Sequence, residues 1–101
     1  MKSILQEDRS DCFICGRNSH ADIFGLEEHH VFEGIGRRKI SEKYGLKVYI
    51  CGDRCHRNGK ESVHKNAKVD RYLKQYAQEK AMEYYGWSIE DFIKIIGKNY
   101  I

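Results

Sequence analysis

The clearest periodicity in the chain lies in its second half. Val69, Leu73, Tyr76, Lys80 and Tyr84 recur in three- and four-residue steps, and Tyr72, Ala77 and Ala81 widen the stripe. This spacing gathers side chains on one face of a helix and predicts a long helix over roughly 62–85, closed by Gly86. Lys80 interrupts the stripe only with its charged tip, because its stem can lie along apolar surface. The aromatic stripe reads as core. Ser88 and Asp91 stand at the spacing of a helix cap and its reciprocal partner, which predicts a second helix that buries Ile89, Phe92, Ile93 and Ile96 and ends at Gly97. Upstream, Leu46-Lys47-Val48-Tyr49-Ile50 alternates with β-branched and aromatic residues and predicts a strand running into Cys51. His29–Phe32 predicts a shorter strand, Gly34-Ile35-Gly36 a turn, and Arg37 to Tyr44 a helical turn ended by Gly45. The segment to about Asp11 is polar and is expected to be loosely held.

Composition narrows this α+β pattern. The 101 residues suit a single domain spanning 1–101 with a modest core. Charged residues are 33%, as in an ordinary globular protein, and there is no repeat, no proline and no obvious linker. The net charge of +3 hides an uneven distribution. Residues 1–36 carry three basic and seven acidic side chains, residues 37–68 ten and three, and residues 69–101 five of each. A basic middle suits a binder of phosphate backbones, and it also suits an unevenly charged solvated surface; charge alone does not separate the two. Met1-Lys2-Ser3-Ile4-Leu5 runs at once into polar residues, so no signal peptide is expected. No stretch has membrane-spanning length, and a reducing cytoplasm is the expected location.

In that compartment four cysteines favour metal over disulfides. Cys12-x-x-Cys15 and Cys51-x-x-x-Cys55 are two close pairs separated by 35 residues, and Gly16 lets the first pair turn as a tight knuckle. Two such pairs can complete a tetrahedral four-thiolate site, for which Zn2+ is the natural occupant; with no open position its role would be structural. The second pair has the wider spacing, within the range seen for ligands. The alternative is four free or disulfide-paired thiols.

Five histidines accompany them: His20, His29, His30, His56 and His64. His20 reads as an ordinary surface residue. His29 and His30 are adjacent on a predicted strand and so point to opposite faces. His56 directly follows a cysteine of the second pair, and His64 lies eight residues further on. Glu28-His29-His30-Val31, then Leu46-Lys47-Val48-Tyr49-Ile50-Cys51, then Cys55-His56 resembles the HNH (ββα-metal) endonuclease pattern, with Cys12-x-x-Cys15 resembling its zinc-bearing branch. The resemblance is to small phage- and prophage-encoded members. It covers roughly residues 12–66, with Gly86-Trp87 and Gly97-Lys98-Asn99-Tyr100 also similar.

The resemblance implies a zinc-stabilised ββα-metal core over 12–66 with additional C-terminal helices over 67–101. It implies DNA phosphodiester hydrolysis with His30 as general base, and His29, His56 and His64 around a divalent ion such as Mg2+, Mn2+, Zn2+ or Ni2+. It also implies work on phage DNA in a bacterial host, with phage proteins as candidate partners. Arg37, Arg38, Lys39, Lys43, Arg54, Arg57 and Lys60 would hold the DNA backbone. The family's middle asparagine falls at Leu46, which leaves Asn58 and Asn66 as candidates for its role. Two rivals share the cysteines and the basic middle: a non-catalytic zinc-ribbon DNA-binding module and a degenerate HNH protein. A zinc-bearing protein-interaction domain shares only the cysteines. Because ligation energy is folding energy, Cys51→Ser is expected to unfold the chain or lower its melting temperature markedly. A thermal melt identical to that of the unsubstituted chain would contradict the four-thiolate reading.

Overall fold

The computed structural model describes residues 1–7, 9–18, 20, 24–34, 36–59 and 62–101. In order these form β1 (Leu26–His30), α1 (Arg37–Tyr44), β2 (Lys47–Cys51), a π-helical turn (Gly52–Asn58), α2 (Ala67–Tyr85) and α3 (Ile89–Ile96). The result is a small α+β domain built on one two-stranded sheet. The strands are antiparallel, with Leu26 opposite Cys51, Glu28 opposite Tyr49, His29 opposite Val48 and His30 opposite Lys47. Glu27 and His29 therefore share the face of Val48 and Ile50, while Glu28 and His30 share the face of Lys47 and Tyr49.

The apolar positions explain the packing. Val31, Phe32, Leu46, Val48 and Ile50 are fully buried with Leu73 and Ala77 of α2 and Phe92 of α3. The loop from β1 into α1 is tied from within. Buried Ser41 accepts from the Phe32 N–H at 3.1 Å and donates to the Phe32 carbonyl at 2.7 Å. The Val31 N–H donates to the Leu46 carbonyl at 3.0 Å. Leu46 thus contributes a backbone acceptor and a buried apolar side chain, and Ser41 supplies the side-chain tie.

Several expectations shift. β1 begins at Leu26, earlier than His29, because Glu27 and Glu28 pair with β2 despite their charge. α2 begins at Ala67, later than 62, where Asn66 accepts from the N–H groups of Lys68 and Val69. Asn66 is therefore a helix cap. The stripe is only partly core: Leu73, Ala77 and Ala81 are buried, but Tyr72 is 62% exposed and Tyr84 63%. The contact face follows the four-residue steps 73-77-81, which turns Tyr72 to the flank, and the last turn carries Tyr84 past the core. On α3, Phe92 and Ile96 are buried while Ile89 is 42% and Ile93 38% exposed, on the flank turned from the core. The expected capping box of Ser88 and Asp91 is present, and Gly45, Gly86 and Gly97 end their helices in left-handed conformations.

The N-terminal segment departs most from expectation. Leu5 is buried, Ile4 donates to the Gly45 carbonyl at 2.9 Å, Ser3 Oγ donates to the Lys47 carbonyl at 2.5 Å, and Gln6 Oε1 accepts from the Tyr49 N–H at 2.7 Å. Residues 3–6 thereby cover the open edge of β2, a device of polar side chains that carries no periodic signal.

The C-terminal tail is pinned as well. Buried Gln78 donates to Asn99 Oδ1 at 2.7 Å and accepts from the Tyr100 N–H at 2.7 Å, while Gln75 donates to the Tyr100 carbonyl at 2.9 Å. No helix among the described residues is long and apolar enough to cross a membrane. Ser41→Ala would strand two buried polar groups of Phe32, and a loss of roughly 2–4 kcal/mol is expected. Denaturant unfolding of the two proteins measures it; a change below about 0.5 kcal/mol, as for an ordinary surface substitution, would show that the tie is dispensable.

Candidate functional site

Cys12 and Cys15 sit on the N-terminal knuckle, where the Gly16 N–H donates to the Cys12 carbonyl at 2.8 Å. Cys51 ends β2, and Cys55 lies one turn on in the π-helical segment. A π turn is wider than an α turn, which accommodates the three residues between this second pair. The four sulfurs lie within 4.8 Å of one another, and Cys15 Sγ is 3.6 Å from Cys51 Sγ. A disulfide requires about 2.05 Å, whereas thiolates around one zinc ion stand roughly 3.8 Å apart, from Zn–S bonds of about 2.3 Å.

The Cys12 sulfur accepts from the N–H groups of Cys15 and Cys51 at 3.5 and 3.4 Å. Burial opposes its ionisation, but those donors outweigh it and lower its pKa. Burial pushes the Cys51 thiol up to about 12 and raises that of Cys55 too. A shared dication would reverse the upward shifts of Cys51 and Cys55 and deepen that of Cys12. The cluster is compatible with a structural metal such as zinc.

The next residue after Cys55 turns to the sheet. His29 on β1, His56 on the π turn and His64 before α2 bring one nitrogen each within 4.8 Å of one another. Ring centroids are separated by 5.2 Å (His29–His56), 5.6 Å (His29–His64) and 4.8 Å (His56–His64). His56 Nδ1 lies 2.9 Å from Glu27 Oε1, and Glu27 Oε2 accepts from Arg57 at 2.8 Å. The hydrogen bond to His56 is the leading reason that Glu27 is held below the usual carboxylate range. A carboxylate in that state only accepts, so Nδ1 of His56 carries the proton and Nε2 offers its lone pair.

His29 is only 3% exposed, and its Nε2 is buried without a hydrogen-bond partner. Burial is the main reason its pKa falls from 6.5 to about 3, with the charges of His56, His64 and Lys74 adding to it. It is a neutral imidazole with an unused buried nitrogen beside two others. The donor set fits a divalent cation.

His30 faces the other way, as adjacent strand residues must. Its Nε2 lies 3.0 Å from Glu42 Oε1 and 3.3 Å from Glu28 Oε1. Lys47 Nζ donates to both Glu42 oxygens at 3.0 and 2.9 Å and pairs with Glu28 at 3.4 Å, and the N-terminal ammonium reaches Glu42 at 2.8 Å. That ammonium, then His30 and Lys47, hold the Glu42 carboxyl well below its usual range. An ionised Glu42 fixes the proton on His30 Nε2 and leaves the lone pair on Nδ1. A cleft of about 150 Å3 is lined by Glu28, His29, His30, Glu33, Arg38 and His56, so the two sheet faces meet in one opening. A larger groove of about 740 Å3 lies between Phe13, Ile14 and the start of α2, apart from the histidines.

The basic candidates separate. Arg38 lines the cleft, and Lys39 stands with Arg38, Glu28, His30 and Glu42 around a neighbouring hollow. Arg57 is paired with Glu27 and lies over the Phe24 ring at 5.0 Å. Lys43 lies over the Tyr44 ring at 5.4 Å, Arg54 is exposed on the π turn, and Arg37 belongs to a separate groove. His20 is exposed and outside these clusters. Lys60 and the side chain of Asn58 lie outside the described residues. Sequence reasoning passed over Glu27, Glu28 and Glu42, whose roles depend on histidines two to thirty residues away; only the acidic pair before the histidine doublet was a signal. No known protein family, curated protein or solved structure matches the chain.

Because His29 is neutral when folded and titrates near 6.5 when unfolded, its contribution is full above pH 6.5 and is lost as pH falls towards 3. In zinc-loaded protein with no further divalent ion added, the stability of the unsubstituted chain relative to His29→Gln is expected to decline across that window by roughly 2–5 kcal/mol. A pH-independent difference in unfolding free energy would contradict the buried neutral state.

Proposed function

We propose that the chain is a metal-dependent endonuclease of the HNH (ββα-metal) type that hydrolyses DNA phosphodiester bonds, with a structural zinc ion at Cys12, Cys15, Cys51 and Cys55. The observation that carries this reading is the meeting of three imidazoles, one of them the buried His29 with its unpartnered Nε2, two of which, His29 and His56, line the cleft that His30 also lines. A non-catalytic zinc module shares the thiolates and the basic surface but gives the imidazoles no task.

The roles follow from proton placement. His29, His56 and His64 would hold the divalent ion, and Glu27 aims His56. When bound, that ion supplies Lewis-acid stabilisation of the phosphate and of the departing 3′ oxygen. His30 Nδ1 accepts the proton of the attacking water, and the carboxylates of Glu42 and Glu28 stabilise the imidazolium that results. Lys47 pairs with both carboxylates and holds them in place. Arg38 and Lys39, on the rim, would hold the phosphate backbone. Phage DNA in a bacterial host is the setting this reading favours.

Plasmid DNA should be nicked or cut when a divalent ion is supplied to the zinc-loaded protein. His30→Ala should reduce the rate by about 10²–10⁴-fold, the usual contribution of a general base, with zinc content and melting temperature kept. Cleavage that persists under a chelator, or at an unchanged rate in His30→Ala, would overturn the proposal.

A further inference from the structure

The sequence places its basic excess between residues 37 and 68 and leaves residues 69–101 balanced. Folding redistributes that charge. Arg37 from the start of α1, Arg71 and Lys74 from α2, and Lys98 from the C-terminal tail converge on one groove of about 400 Å3, with Asp70 and Tyr100 completing its wall. Four cations thus face one carboxylate. Asp70 Oδ2 accepts from Lys74 at 2.5 Å, whereas Arg37, Arg71 and Lys98 form no ion pair with a described carboxylate.

Unpaired like charges repel, so a groove that collects them gains from a bound anion. The tail that carries Lys98 is tied down. The buried Gln78 amide fixes Asn99 and Tyr100, and the Tyr100 ring packs on Phe32 at 5.3 Å, which carries Lys98 to the flank of α2. Gly97 brings the chain close to Arg37: a Cβ there would stand 3.4 Å from its guanidinium.

The groove also adjoins the imidazole cluster. Asp70 offers a carboxylate oxygen within 4.8 Å of ligand atoms of His29 and Glu33, and its Oδ1 is buried without a hydrogen-bond partner. The charge of Lys74 is felt at His29. Asp70, in the wall of the cationic groove, therefore stands next to His29 and Glu33, which line the cleft.

We propose that this groove binds the phosphodiester backbone of a DNA strand as it leaves the histidine cleft, with Arg37, Arg71 and Lys98 as the contacts and Lys74 held in reserve by Asp70. The choice of DNA rests on the nuclease reading above. A linear polyanion matches cations drawn from three elements around one groove whose wall, at Asp70, borders the imidazole cluster. The contacts go to phosphate and carry no sequence preference.

The test is the fluorescence anisotropy of a labelled 20-base-pair duplex with the full-length, zinc-loaded protein. No second divalent ion is added, so no strand is cut. Arg71→Ala with Lys98→Ala removes two groove cations, and Lys80→Ala with Lys94→Ala removes the same charge elsewhere. The groove pair is expected to weaken binding at least tenfold and to reduce the salt slope by about 2, given nearly one released counterion per phosphate contact. The control pair should remain within about twofold of the unsubstituted chain, since its lysines would touch no phosphate. Equal binding and equal salt slopes for the two pairs would overturn the proposal, as would absence of duplex binding by the unsubstituted chain. Displacement of the duplex by millimolar inorganic phosphate at fixed ionic strength would also overturn it, by showing a site for isolated anions. Zinc content and melting temperature confirm that each variant is folded. Groove-dependent binding without metal-dependent cutting would sink the nuclease reading alone; cutting with no loss of binding in the groove pair would sink the groove alone.

Discussion

The antiparallel pairing of β1 with β2 is the constraint on which the rest of this molecule depends. Because His29 stands opposite Val48 and His30 opposite Lys47, two neighbouring imidazoles enter different surroundings. One is driven into the protein and held neutral; the other is placed among carboxylates and a lysine. A slip of one residue would exchange these environments, since side chains alternate across a strand. The register is protected by the burial of Val48 and Ile50 on one face and by the polar grip of residues 3–6 on the edge.

The cysteine cluster acts on the same pairing from its end. Cys51 is the last residue of β2 and Cys55 lies in the π turn that follows, so whatever fixes the sulfurs also fixes the backbone of His56. The wide turn serves both neighbours at once. It returns Cys55 towards Cys51 and sends His56 back over the sheet to meet Glu27 and His29. The cysteine cluster and the imidazole cluster are therefore adjacent in the chain but form two separate groups, one of four sulfurs and the other opening to a cleft.

Charge follows the same logic of local opposition. Glu27, Glu28 and Glu42 make the region around the histidines far from uniformly basic, and each carboxylate is matched to a particular imidazole or ammonium. These pairs set which nitrogen carries a proton, a matter that hydrogen-bond partners decide and net charge does not. Among the described residues, Arg38 and Lys39 at the rim and Arg37, Arg71 and Lys98 in the groove of α2 and the tail form no such ion pair.

What the sequence determined by itself was local. The two cysteine pairs, the histidine doublet, the strand before Cys51, the cap at Ser88 and the glycine helix ends depend on near neighbours, and each is present in the fold. Tertiary structure decided everything that joins distant residues. Ser41, nine residues from Phe32, ties the loop after β1 with no signal in the sequence around it. The N-terminal segment reads as loose because Ser3 and Gln6 reveal their role only against a strand more than forty residues away. Tyr72 and Tyr84 fit a helical stripe, yet the width of the surface facing α2 determines which part of that stripe is covered. Periodicity reports a residue's neighbours along its own element, whereas burial, proton placement and shared cavities depend on which other element arrives opposite it.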